Sequence, residues 1–287
     1  MFAGFNLNID EASFKNDILS NESEFNLYKN IGEDHLKTKS NQCKKDLNDY
    51  ILNGIIDGTK LGNNWFPKIK ADIFISHSHK DKDLAVALAG WVYKNLNLEC
   101  FIDSYVWGHI DELLSKINNE FSDKREDESG RVLYSHEKAN KASAHVNIIL
   151  NMALQKMIDN TEAVFLINTE NSIKKYSELY QSSTFSPWIY SEIICTEIIR
   201  KKELIEYRPQ KEIIKHSNED YKLNNELLID YKVVLDHLSK IDCLDLLIWK
   251  KKWELVSNKS IKYSLDELYK LTNINEMKRL KLNGKVC

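Results

Sequence analysis

Three short apolar runs, Ile73-Phe74-Ile75, Cys100-Phe101-Ile102 and Val164-Phe165-Leu166-Ile167, constrain this chain more than anything else in it. Each is too short for a buried helix and too continuous for a half-exposed strand, so each reads as a strand buried on both faces. Helical patterns separate them. Leu84, Leu88 and Trp91 repeat at helical spacing after the first run, and Val146, Ile149, Leu150, Ala153, Leu154, Met157 and Ile158 form a stripe before the third. Alternating strands and helices predict an α/β fold, a flavodoxin-like doubly wound parallel sheet with helices on both faces. Ligands of such sheets bind outside the carboxyl ends of the strands. That rule directs attention to residues 76–81, 103–110 and 168–192.

Composition narrows the partners. A formal net charge of −3 on 287 residues gives no basic field of the kind that nucleic acid or an anionic membrane surface would select. The five cysteines, Cys43, Cys100, Cys195, Cys243 and Cys287, are odd in number and scattered without a CxxC pair. They argue for reduced thiols and against a disulfide frame or a thiolate metal site, and so for a cytoplasmic protein. No run is long enough to span a bilayer, and the first residues, MFAGFNLNIDEASF, lack a basic region followed by an apolar one.

Residues 1–68, rich in Asn, Lys, Asp and Glu, read as an N-terminal helical extension of limited burial, with Gly58, Gly62, Asn63, Asn64 and Pro67 as a breaker cluster before the first strand. Asp81 is placed to cap the helix that follows. Residues 111–141 lack periodicity and read as a loop or insertion. Tyr231–Leu235 and Leu244–Ile248 read as further strands, Ser264–Leu271 as a closing helix, and 276–287 as a C-terminal tail.

The candidate chemistry centres on SPWIYSEI, residues 186–193. Ser186 reads as an N-cap and Pro187 as the first helical residue. Trp188 and Glu192, four apart, share one face, so a carboxylate stands against an aromatic wall near a helix start. Upstream, His77, His79 and Asp103 raise the possibility of a metal, but no HExxH or cysteine partner accompanies them. Ser76, His77 and Asp103 raise that of a hydrolase triad, but there is no GxSxG elbow. Neither a Walker loop nor GxGxxG is present, so phosphate cradling by a Gly-rich turn is not indicated.

Taken together, ADIFISHSHKDKDLAVALAGW, ECFIDSYVWGHI, AVFLINTENS and SPWIYSEI resemble a bacterial Toll/interleukin-1 receptor (TIR) domain, over about residues 69–275. The resemblance implies that Asp103–Ile110, with Gly108, is the loop after the second strand, and that Trp188–Glu192 is the W-x-x-x-E motif. It implies an enzyme that cleaves the nicotinamide glycosidic bond of NAD+, with NAD+ as substrate and no further cofactor or metal. Glu192 is then catalytic, and Ser76, His77, Ser78, Asp103, Trp107 and Trp188 bind substrate. It further implies a homo-oligomer built on TIR contacts and a role in Thoeris-type anti-phage defence, where an ADP-ribose-derived second messenger reaches a separate effector. Two other classes compete: a non-enzymatic TIR scaffold acting by homotypic self-association, and another N-glycosidic enzyme such as a nucleoside deoxyribosyltransferase. Glu192 in register weighs against the scaffold. The SHSHKD and FID segments weigh against the transferase.

Overall fold

The computed structural model describes residues 1–43, 46–108, 110–176, 181–207, 231–257, 259 and 263–274. Its principal elements, in chain order, are β1 (Ala3–Asn8), α1 (Glu22–Ser40), α2 (Gly58–Trp65), β2 (Ile73–Ser76), α3 (Lys82–Leu96), β3 (Cys100–Phe101), α4 (Ile110–Phe121), α5 (His136–Asn160), β4 (Ala163–Asn168), β5 (Lys174–Tyr176), β6 (Gln181–Thr184), α6 (Pro187–Ile198), β7 (Tyr231–Val233), β8 (Ser239–Ile241), α7 (Cys243–Glu254) and α8 (Ser264–Leu271). Five strands pair in parallel in the order β8-β1-β4-β2-β3. The expected doubly wound α/β sheet is therefore present. Counted from Ile73, its first three strands take the 2-1-3 order of flavodoxin-like sheets, and the N-terminal strand occupies the fourth place.

That placement corrects the reading of residues 1–68 as a helical extension. β1 lies inside the sheet, and Phe5 and Leu7 are fully buried. Its signal is muted because Asn6 and Asn8 alternate with the apolar residues, so no continuous apolar run marks it. The helix that follows is equally integral. α1 packs on α3 at a crossing where a Cβ on Gly32 would stand 2.1 Å from the Val86 carbonyl oxygen, and one on Gly90 1.9 Å from that of Tyr28. Only glycine permits backbones this close. At the end of α1, the buried Lys39 ammonium donates to Glu99 at 2.6 Å and to the Lys70 carbonyl at 2.7 Å.

Alternation along β4 assigns the faces. Phe165 meets Phe5 and Trp249, so α7 covers that side, whereas Leu166 clusters with Ile189 and Ile193 of α6 on the other. Ser76 and Asn6 both pair in register with Leu166 and so face α6.

Three further expectations are corrected. The breaker cluster is the helix α2: Asp57 caps it by accepting from the Lys60 N–H at 2.9 Å, and Leu61 and Trp65 bury one turn apart. Residues 111–141 are mostly helical, with α4, a short hairpin (Arg125–Glu126 with Val132–Leu133) and the start of α5. Leu244–Ile248 lies within α7, because Asp242 and Asp245 form a capping box and Leu246, Trp249 and Trp253 bury at helical spacing. Of the expected strand at 231–235, Tyr231–Val233 forms and joins β6 and β5 in a separate antiparallel sheet, so the fifth strand of the main sheet is β8. The closing helix at Ser264–Leu271 is present, and the 276–287 tail lies outside the described residues. No helix among the described residues is long and apolar enough to cross a membrane.

Candidate active site

At the carboxyl ends of β2 and β3 a cleft of about 370 Å³ opens between the loop after β3 and the start of α6. It follows from local sequence. Ser186 caps α6 by accepting from the Ile189 N–H at 3.2 Å, and Pro187 stands in the first turn. The helix phase then turns Trp188 and Glu192 into the same cleft. Glu192 is only 6% exposed. Across from it Ser76, the last residue of β2, donates its hydroxyl to Glu192 Oε2 at 2.5 Å.

Asp103 and Ser104 come from a short helical turn after β3 (Asp103–Val106), Gly108 from the turn beyond it, Ile110 and Asp111 from the start of α4, and Leu150 from α5. Gly108 has φ +73°, the left-handed conformation that side chains disfavour, which fits its expected place in a tight turn. His109 beside it lies outside the described residues. His77 also lines the cleft; its Nε2 is 3.3 Å from Ser104 Oγ, and its Nδ1 is buried with no hydrogen-bond partner among the described residues.

Electrostatics single out Glu192. Burial first, and then the negative charge of Asp103, push its carboxyl well above the ordinary carboxylate range, while the Ser76 hydroxyl pulls in the opposite direction. Burial also holds the His77 ring below its ordinary value, although Asp103 opposes this, so the imidazole is a neutral group. The Cys195 thiol, one helical step beyond, is raised to about 11 by burial and then by Glu192. Three carboxyl groups line one small cleft, Glu192 deeply buried and Asp103 and Asp111 beside it, so a cation or a developing positive charge is favoured there and Glu192 holds its proton to higher pH than a free carboxyl does.

The expected site residues divide. Ser76, His77, Asp103, Trp188 and Glu192 are brought together. Trp107 is not: it is 1% exposed, packs edge-on against Phe101 and Phe66, and donates its indole N–H to the Pro67 carbonyl at 3.3 Å. It is a core residue and does not line the cleft. Ser78 likewise stands off the cleft and accepts from the Lys80 N–H at 3.4 Å at the start of a helical turn. His79 is at the rim, and no group of three or more His, Cys, Asp or Glu side chains suited to a metal occurs among the described residues.

Sequence reasoning missed Ser104, whose partner is His77, and the role of Asp81. Asp81 makes no side-chain cap; it accepts from Thr169 Oγ1 at 2.6 Å and Asn171 Nδ2 at 2.7 Å, tying the loop after β2 to the loop after β4. No local pattern announces a bond between residues so distant in the chain. Comparison with known proteins finds no relative: no family model, no curated protein and no solved structure matches the chain.

Proposed function

We propose that this chain is a TIR-like NAD+ glycohydrolase or ADP-ribosyl cyclase, with Glu192 as the catalytic carboxylate. The observation that carries the reading is the buried Glu192 carboxyl held by Ser76 at 2.5 Å in a cleft that also contains Asp103 and Trp188. Cleavage breaks the bond between ribose C1′ and the nicotinamide nitrogen. The bonding pair leaves with nicotinamide, which departs neutral, and positive charge grows on the ribosyl group. A fixed carboxylate at the ribose stabilises that charge, and the leaving group needs no acid. One buried carboxylate therefore suffices.

Each residue has a task in this scheme. Ser76 orients Glu192, Trp188 walls the cleft beside it, and Asp103 adds a second negative charge that favours the cationic nicotinamide ring on binding. His77, whose ring burial makes harder to protonate, is a polar contact for the carboxamide or a ribose hydroxyl. Glu192, which burial makes harder to ionise, ionises more readily as the cationic substrate binds, because a positive charge nearby favours the ionised carboxyl. A volume of about 370 Å³ is near the low end of the ~300–1,000 Å³ of small-molecule sites, room for the nicotinamide-ribose half with the rest of NAD+ reaching outward. Water or a hydroxyl of the substrate itself then captures the ribosyl cation, giving ADP-ribose or a cyclic isomer. The anti-phage second-messenger role belongs to the same proposal and depends on that product.

Incubating the purified chain with NAD+, and separately with a deoxynucleoside, tests the reading through the base released. Nicotinamide release supports it. Base release from the deoxynucleoside alone would transfer the site to another N-glycosidic reaction, and no release in any oligomeric state would leave the homotypic scaffold.

A further inference from the structure

Away from the cleft, α2, α4 and α5 enclose an apolar groove of about 540 Å³, floored by Leu61, Ile117, Phe121, Ala142 and Ile149. At one end stands a hairpin, Ile51–Leu52 paired with Ile55–Ile56, turned by Asn53 and Gly54 at φ +52° and +75°. Asn-Gly is the pair such a two-residue turn selects. The hairpin is held at its base, where the Asp57 N–H donates to the Tyr50 carbonyl at 2.9 Å and the Tyr50 ring is buried. Its tip is not covered: Leu52 and Ile55, directly opposite in register, are 75% and 72% exposed. A two-residue turn leaves no slack for these side chains to fold back into the groove beside them.

We infer that this chain pairs with a second copy of itself through a two-fold exchange in which the Leu52/Ile55 hairpin of each copy seats in the other's groove. Three observations select that occupant. The hairpin and the groove are both apolar and both unfilled, so each supplies what the other lacks. They adjoin on one side of the molecule, with Gly54, Ile56 and Gly58 lining the near end of the groove, so one rotation satisfies both contacts at once. Charge also matches: the segment 46–57 carries Asp46, Asp49 and Asp57, Lys60 reaches only its base, where it donates to the Asp49 carbonyl at 2.8 Å, and the groove rim carries Lys138 and Lys141. Lys138 and Lys141 already pair with Asp123 and Glu137 at 2.6 and 2.7 Å, but these exposed pairs can change partner at little cost. The surface lies outside the loop after β3 and stands whether or not NAD+ is the substrate.

Sedimentation velocity on the full chain across a dilution series tests this. The parent is expected to be a dimer that dissociates on dilution. Leu52→Asp/Ile55→Asp, at exposed positions, and Ala142→Glu, in the groove, should each raise the dissociation constant by at least about tenfold, the effect of losing about 1.4 kcal/mol. Circular dichroism melts on both variants check that they remain folded. Mixing them is the decisive arm, because a heterodimer keeps one intact hairpin-in-groove contact that neither variant has alone, so dimer should reappear. A parent that is monomeric at its highest soluble concentration, a dimer that survives both substitutions, or a mixture that stays monomeric overturns the inference. So does a monomeric parent whose groove binds an apolar dye that Ala142→Glu excludes, since that would mark a small-ligand site.

Discussion

The two sides of β4 carry polar groups at the same level and on the same face, yet only one side holds a buried carboxyl. On one side Ser76 pairs with Leu166, and on the other Asn6 pairs with the same residue. Asn6 is 6% exposed and accepts a 2.8 Å hydrogen bond from Asn168 Nδ2; two neutral amides answer each other, and burial costs little. Ser76 instead donates to Glu192, whose carboxyl is buried and faces the negative charge of Asp103. The amides are at rest and the carboxyl is not. Burial alone therefore does not mark a site; what marks it is a buried ionisable group whose neighbours cannot neutralise its charge until a cationic ligand arrives.

Removing one side of β4 is the most severe perturbation. A chain beginning at Trp65 retains every residue of the cleft but loses β1 and α1, and with them the neighbour of β4 and the cover of α3. It is expected to lose cooperative unfolding altogether, read by circular dichroism; a folded, soluble product would show that β1 is dispensable. Next in size, Asn168→Ala strands the Asn6 amide and should cost about 1–3 kcal/mol of stability with the Glu192 titration unmoved. A shift of that titration would show that the two sides of β4 communicate. Gly108→Ala forces a Cβ into a left-handed turn and should cost about 1 kcal/mol, with a larger fall in nicotinamide release than in melting temperature because the loop lines the cleft. Glu197→Gln, on the exposed side of α6, should change stability by only a few tenths of a kcal/mol and leave release unchanged.

Much of the cleft side was readable in advance, since continuous apolar runs mark β2, β3 and β4, and the Ser-Pro start fixes the phase of α6 and hence the direction of Glu192. The other side was hidden. In β1 every second residue facing α6 is Gly or Asn, so the strand looks like a polar loop until the Asn6–Asn168 bond gives those amides a partner. Trp107 misled for the opposite reason: a tryptophan beside a turn glycine suggests a cover, but its place is set by Phe66, Phe101 and a carbonyl contributed from residue 67, contacts that no local spacing encodes. The segment 244–248 shows the limit of short apolar runs, which do not distinguish strand from buried helix unless the cap is weighed as well.

Whether Glu192 stabilises charge or only structure is decided by comparing the parent with Glu192→Gln across pH, measuring nicotinamide release and unfolding free energy on the same samples. A carboxyl raised above its ordinary value keeps its proton to higher pH in the folded chain than in the unfolded one, so its stabilising share is complete at acid pH and is lost as pH rises from the ordinary carboxylate value through the folded one. Each pH unit of that displacement is worth about 1.4 kcal/mol. Glu192→Gln should therefore be no less stable than the parent at neutral pH, and relatively more stable the higher the pH. Release by the parent should rise over the same interval as Glu192 ionises, while the variant loses about 100-fold to 1,000-fold in rate at every pH. A Glu192→Gln protein that releases nicotinamide at close to the parent rate, with the same pH dependence, would show that Glu192 carries no catalytic charge.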